Sequence, residues 1–123
     1  MKIALVSRID GEGALRYTES LARSLEGLGH SVILEKSTAE HLRKDGVPFE
    51  EIKGDLVVVI GGDGSVLLTV HRMKEQSPIL GINWGEVGFL ADLEPEEADA
   101  FFATHRDGFS VEPRMRVSLY VDD

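Results

Sequence analysis

Two glycine-rich segments carry the residues of this sequence that could do chemistry. The first is Gly61-Gly62-Asp63-Gly64, and the second covers residues 81–90. Glycines let a backbone approach a ligand closely, with or without positive φ, and the N–H groups of a turn before a helix can bind a phosphate. A carboxylate in that turn, here Asp63, can hydrogen-bond or deprotonate a sugar hydroxyl, or hold Mg²⁺. The first segment therefore predicts a phosphate site with a carboxylate beside it.

Each segment also has a purely structural interpretation. Gly61 to Gly64 could be only a tight turn in which Asp63 caps the next helix. Neither Gly-x-Gly-x-x-Gly nor Gly-Lys-Ser/Thr occurs, which excludes the standard dinucleotide fingerprint and the P-loop. In the second segment Trp84 and Phe89 could stack on a base or simply anchor the loop.

Strands and helices must alternate around these segments. Continuous apolar runs, such as residues 56–60, are typical of strands buried on both faces of a parallel sheet, and we place this run at its centre. The predicted strands are 3–6, 31–35, 56–60 and 78–82, and the predicted helices are 14–28 closed by Gly29, a brief one capped by Ser37 and running through His41 to Lys44, 65–74, and one starting at Pro95. This order brings the ends of two neighbouring strands, and both glycine segments, to one edge.

The last segment has a different pattern. Apolar residues alternate with polar ones over 114–121, a period of two that predicts a strand with one wet face. Such a strand needs a partner, so we interpret the chain as the first part of a longer protein. The predicted domains are an α/β nucleotide-binding domain over 1–110 and the start of a β-rich C-terminal domain over 111–123.

Composition excludes several classes of function. The net charge of −9 disfavours nucleic acid and membrane surfaces as partners. With no cysteine and four scattered histidines, we predict no disulfide framework and no protein metal site. The apolar start is too short for a signal peptide or a membrane span, which predicts a cytoplasmic protein.

Taken together, the glycine motif with Ser65, residues 78–83 and residues 85–93 resemble the NAD kinase family. The resemblance covers practically the whole chain. It implies a Rossmann-like three-layer α/β domain with a mostly parallel sheet, ending in the first strand of a β-rich second domain. It also implies transfer of a phosphoryl group from ATP or polyphosphate to the adenosine ribose 2′-hydroxyl of NAD, giving NADP. NAD and ATP would be substrates, Mg²⁺ or another divalent cation a cofactor, and the protein a homo-oligomer.

The resemblance also assigns roles to residues. Asp63 matches the proposed proton acceptor and, with Gly64, positions that bind NAD, while Phe89 matches an aromatic that lies against the adenine. The full predicted nucleotide-binding set is Gly61, Gly62, Asp63, Gly64, Ser65, Asn83 and Phe89.

Three departures from the family pattern accompany the resemblance. Ser65 stands where Thr is common and keeps the hydroxyl, and Leu68 stands where a basic residue is frequent. If that basic side chain contacts a phosphate in the family, this protein either replaces it, with Arg72 or His71, or binds the phosphate more weakly. The family's Asn-Glu or Asn-Asp motif does not occur downstream of Gly88.

Two alternatives remain open at this point. The chain could be a catalytically incomplete NAD(P)-binding domain, or a diacylglycerol or sugar kinase sharing the Gly-Gly-Asp-Gly turn. The second glycine segment disfavours the latter, because those families do not look like residues 81–93.

Overall fold

The computed structural model describes residues 1–74, 77–84 and 93–104. Strands and helices alternate along the chain as the sequence pattern predicts. The strands are β1 (Lys2–Ser7), β2 (Ser31–Leu34), β3 (Leu56–Gly61) and β4 (Ile79–Asn83), and the helices are α1 (Glu12–Gly27), α2 (Lys36–His41), α3 (Asp63–Arg72) and α4 (Pro95–Thr104), with a 3₁₀ helix at Phe49–Glu51.

The four strands form one parallel sheet in the order β2-β1-β3-β4. All six residues of β3 are buried, which confirms its predicted central position. The pairing of β3 with β4 places Gly61 opposite Asn83, so two predicted site residues lie side by side where their strands end. Because all strands are parallel, every carboxyl end lies at the same edge of the sheet.

Helices cover both faces of the sheet. On one face Leu5, Val58 and Leu80 pack with buried residues of α1 and α4. On the other, the alternate residue Val59 packs with Val66 of α3 and with the 3₁₀ helix. The predicted α/β three-layer architecture is thus confirmed, and its two cores explain why the strands are continuously apolar.

Two helix ends follow from glycine conformation. Gly29 has φ +96°, and the N–H groups of Gly29 and His30 donate to the carbonyls of Glu26 and Leu25, a C-terminal cap that the sequence predicts. The predicted start of α3 at Ser65 is two residues too late, because extended Gly62 precedes Asp63 as the first helical residue. Gly64 is tolerated inside the first turn, so the glycines do not delay the helix.

The predicted cap of α2 is wrong. Glu35, rather than Ser37, precedes the helix, and its carboxylate accepts hydrogen bonds from the backbone N–H of Ser37 and Thr38. The helix ends at His41 instead of reaching Lys44. The carboxylate satisfies two N–H groups of the first turn at once, one with each of its oxygens.

The remaining boundaries agree with the sequence pattern to within two residues: α1 begins at Glu12 rather than at residue 14, and α3 ends at Arg72 rather than at residue 74. β4 begins one residue after Pro78, and α4 begins at Pro95 as predicted. The side chain of Glu97 accepts from the N–H of Glu94 at 3.0 Å, the return half of a capping box. The predicted strand at 114–121 lies outside the described residues. No helix within the three described stretches is long and apolar enough to cross a membrane.

Candidate functional site

The glycine motif connects the end of β3 to the start of α3. Gly61 is the last residue of β3 and Gly62 the residue before the helix. A Cβ on Gly61 would lie 2.5 Å from Ser65 Oγ and 2.9 Å from its Cβ, whereas a Cβ on Gly64 would meet nothing within 4 Å. Gly61 is therefore needed for close packing of strand and helix, and Gly64 leaves open space. Neither has positive φ, so close approach rather than φ explains these glycines.

Asp63 opens α3 and is half-buried. Its carboxylate lies in the first turn, where the helix dipole favours negative charge. Since Gly62 is the capping residue, the interpretation of Asp63 as the helix cap is wrong. Ser65 is also half-buried, one residue beyond Gly64.

Asn83 lies beside the motif through the β3–β4 pairing. Its side-chain Nδ2 donates to Glu94 Oε1 at 3.1 Å, while its buried Oδ1 finds no donor among the described residues. A buried acceptor without a partner costs free energy, and Asn83 is not among the residues that line the cavity described below.

The second glycine segment is only partly described. The backbone N–H of Trp84 donates to the carbonyl oxygen of Gly61. The Trp84 ring lies against Gly13, and its centroid is 5.2 Å from that of the Tyr17 ring. Trp84 therefore anchors the loop on α1, in agreement with the structural interpretation. Phe89 lies outside the described residues.

A cavity of about 420 Å³ opens at the carboxyl edge between β1 and β3. The chain leaves β1 toward β2 and β3 toward β4, so this is the point where strand order reverses, the usual ligand position in open α/β sheets. Its polar lining comes from four elements and is made up of Ser7, Arg8, Asp10, Glu35, Ser37, Gly62, Gly64, Ser65 and Arg72.

Arg8 is a cavity residue that sequence reasoning missed. Its Nε and Nη2 donate to the two carboxylate oxygens of Asp10 at 2.7 and 2.9 Å, and Nη1 donates to the carbonyl of Trp84 at 3.2 Å. The Arg8 hydrogen bond holds the pKa of Asp10 below its ordinary value, against a smaller effect of desolvation. Arg8 thus ties the end of β1 to the segment after β4. Its position just after the first apolar run was the available signal.

Glu35 and Phe49 were missed as well. Glu35 is 3% exposed and lines the cavity while capping α2. Phe49 is buried and lines the opposite side. Nothing in their local sequence marks them, because only the packing of α2 and the 3₁₀ helix brings them to the cavity.

Of the two basic residues that could compensate for Leu68, the structure places Arg72 at the cavity. Leu68 lines the cavity and is half-exposed, and Arg72, four residues later on the same helix, lines it too. His71 does not belong to the lining. Within the described stretches, no three acidic or histidine residues gather in a group that could hold a metal ion.

Comparison with known proteins gives a consistent result. The model of the ATP-NAD kinase N-terminal domain matches residues 3–106. An NAD kinase of Methanoculleus marisnigri is 73% identical over 99% of this chain, which covers 45% of that protein. The chain therefore spans less than half the length of this relative.

Solved structures agree with the fold. A crystal structure of an NAD kinase from Archaeoglobus fulgidus in complex with ATP has 26% identity and a TM-score of 0.57, over 87% of this chain and 38% of that one. The yeast NADH kinase complexed with NADH, at 21% identity, superposes with a TM-score of 0.65 over the same shares. With the family model covering most of its length, the chain belongs to the ATP-NAD kinase family, of which it contains the N-terminal domain.

Proposed function

We propose that this chain is the nucleotide-binding part of an NAD kinase, which transfers a phosphoryl group from ATP or polyphosphate to the 2′-hydroxyl of the adenosine ribose of NAD. One observation carries the proposal: Asp63 opens α3 at the carboxyl edge of the sheet, beside the cavity where strand order reverses. The Archaeoglobus relative bound to ATP and the yeast NADH kinase bound to NADH support nucleotide substrates.

The cavity and the motif have separate tasks in this proposal. The oligophosphate of the donor lies in the cavity, where Gly64 leaves its approach open and the N-terminus of α3 favours anions. The ribose hydroxyl of NAD lies at Asp63. Asn83, which lies opposite Gly61 at the ends of β3 and β4, binds the same nucleotide.

Asp63 accepts the proton in the transfer step. The 2′-oxygen attacks the terminal phosphorus and forms an O–P bond, while the bond from that phosphorus to the bridging oxygen breaks and ADP or the shortened polyphosphate leaves. The hydroxyl proton passes to the Asp63 carboxylate. General-base catalysis of this kind contributes roughly 10² to 10⁴ in rate.

A divalent cation fits this residue set as a companion of the donor. Mg²⁺ bound with a nucleotide needs only one or two protein carboxylates, since phosphates and water supply its other ligands. Because Asp63 accepts the proton, the donor's phosphates and water would supply most of the cation's ligands at this site. The cation would neutralise phosphate charge during transfer.

Three further expectations complete the proposal. The enzyme is cytoplasmic, assembles as a homo-oligomer, and takes its remaining nucleotide contacts from a β-rich domain that begins within residues 111–123. The predicted role of Phe89 against the adenine also belongs here.

NADP formation tests the proposal directly. The chain is assayed alone and as a chimaera in which it replaces the matching segment of the Methanoculleus marisnigri NAD kinase, with NAD, ATP and Mg²⁺. Asp63→Asn should lower the rate of the active form by a factor of about 10² to 10⁴, because the asparagine amide cannot accept the proton that the carboxylate accepts. Asp55→Asn, at the opposite end of the sheet, is the matched control and should retain the wild-type rate.

The outcomes separate the two interpretations of the chain. If the chimaera makes NADP and the isolated chain does not, the catalytic carboxylate is present and the isolated chain is a binding domain. No NADP from a folded chimaera, or equal rates for Asp63→Asn and wild type, contradicts the proposal.

A further inference from the structure

Arg72 is held beside the cavity by two residues of the 3₁₀ helix. Its guanidinium carbon lies 5.1 Å from the centroid of the Phe49 ring, and its Nε donates to Glu50 Oε2 at 3.0 Å. Phe49 is itself only 6% exposed, so the ring is a fixed platform. The pKa of Glu50 is lowered by a backbone hydrogen bond and by the bond from Arg72. The guanidinium therefore has a defined place before any ligand arrives.

The hydrogen-bonding groups of Arg72 are largely unused. Of its five N–H donors, only the one on Nε has an acceptor among the described residues. Arg8, the other cation of the cavity, differs: its Nε, Nη1 and Nη2 all donate to Asp10 or Trp84. The two arginines thus have different roles, because Arg8 links two loops while Arg72 keeps both Nη groups available.

Arg72 is the cation that α3 contributes to the cavity lining, in the wall that this helix forms. Leu68 occupies the preceding turn of the same helix face and is apolar and half-exposed. Arg72 is accordingly the positive charge of this wall within the described part of the chain. Arg72 shares the cavity lining with Gly62 and Gly64 of the glycine motif.

We propose that the two Nη groups of Arg72 bind the phosphoanhydride chain of the phosphoryl donor. The inference rests on the proposed function and names the residue of α3 that holds the donor. A planar guanidinium binds two phosphate oxygens at once, and Phe49 and Glu50 reduce the entropy lost on binding. Arg72 acts by holding the donor and takes no part in proton transfer.

A purely structural role explains less of the geometry. An arginine in the last turn of α3 is stabilised by the helix dipole, and its ion pair with Glu50 joins two elements. Half-exposed ion pairs of this type contribute little to stability. A structural role accounts for the Arg72 Nε, which donates to Glu50. It does not explain why both Nη groups lack an acceptor among the described residues or why Arg72 lines the cavity.

Calorimetric titration of the 123-residue chain tests the inference with three probes: Mg·ATP, inorganic tripolyphosphate and adenosine. Arg72→Ala should weaken binding of both phosphate compounds at least about tenfold, the effect of losing one charged hydrogen bond, and leave adenosine binding unchanged. Arg72→Lys should recover part of the loss, since lysine supplies a point charge without the planar fork. A merely structural residue would lower the melting temperature and leave all three affinities equal.

Rescue from position 68 is the decisive variant. Leu68→Arg in the Arg72→Ala background should restore tripolyphosphate binding, although the contact with Glu50 stays absent. Unchanged affinity in Arg72→Ala, a loss confined to ATP, or no tripolyphosphate binding by the wild-type chain overturns the inference. In the chimaera, NADP formation with an unaltered KM for ATP in Arg72→Ala contradicts this inference alone. Failure to make NADP despite Arg72-dependent tripolyphosphate binding contradicts the proposed function alone.

Discussion

The two ends of the sheet use the same strands for different purposes. At the amino end, backbone groups at the strand starts are paired within the chain: Ser31 N donates to Met1 O and Asp55 N to Lys2 O, both at 2.8 Å, and Lys2 N donates to Asp55 Oδ2 at 2.8 Å. The buried His30 Nε2 is the exception there, since it has no partner among the described residues. At the carboxyl end the strands finish beside a cavity of about 420 Å³. There the Nη groups of Arg72 and the buried Asn83 Oδ1 have no described partner.

The difference shows how one parallel sheet separates stability from function. Backbone hydrogen bonds at the amino end hold the starts of β1, β2 and β3 together. At the carboxyl end the chain continues from β1 toward β2 and from β3 toward β4, which are on opposite sides. A gap therefore opens between the ends of β1 and β3. Groups left unpaired there reduce stability, and binding a ligand is the means by which they become satisfied.

Substitution of Gly61 should have the largest effect on stability. An alanine Cβ would lie 2.9 Å from Ser65 Cβ, which the helix backbone holds in place. Overpacking of this kind costs about 1–3 kcal/mol, measurable by urea denaturation. The same displacement of the motif should weaken tripolyphosphate binding.

Gly64→Ala is the matched control and sharpens the comparison. Its Cβ meets nothing within 4 Å, and alanine in a helix is more favourable than glycine by about 0.5–1 kcal/mol. The variant should be as stable as wild type or more so, yet bind tripolyphosphate less well, because the Cβ occupies space next to the ligand. Equal losses of stability in both variants would show that the motif is only a structural turn.

Asp55→Ala should have a smaller effect, confined to the amino end. It removes the acceptor of Lys2 N–H and should lower the free energy of unfolding by about 1 kcal/mol or less. Tripolyphosphate affinity, measured by titration calorimetry, should stay unchanged. A change in that affinity would show that the amino end of the sheet also influences ligand binding.

The pH dependence of stability should show the smallest effect. Burial, and secondarily the N-terminal ammonium, which lies 3.3 Å from Nδ1, lowers the pKa of His30 from its ordinary 6.5. The unfolded chain then binds a proton that the folded chain does not, so stability present above pH 6.5 is lost as pH falls through the folded pKa.

His30→Gln tests this origin through melting temperatures between pH 7.5 and 5. The variant should lose less stability on acidification than wild type, because it lacks the group that binds the extra proton in the unfolded chain. Identical pH profiles for His30→Gln and wild type would assign the effect to other groups.

Much of the fold follows from local pattern. The apolar run 56–60 predicts the central strand, and Gly29 predicts the end of α1, because buried strands and left-handed caps have strict residue requirements. The cap of α2 was missed, since a glutamate capping its own following turn is not a strong local signal. Residues 111–123 and Phe89 stay predictions.

The candidate site divides in the same way. The glycine motif was predicted from sequence because its residues are contiguous, and the roles assigned to Asp63 and Asn83 stay predictions. The contributions of Arg8, Glu35 and Phe49 were not predicted, as they come from three separate connections. Arg72 was named only as one of two candidates.

By itself the sequence determined the strands, the glycine motif and the family, because these depend on residues near one another in the chain. Only the tertiary structure decided that Leu68, Arg72, Phe49 and Glu35 face one cavity, and that Arg72 rather than His71 lies at it. The reason is physical: strand order and helix packing set which distant residues meet, and that order is fixed by burial on both faces of the sheet.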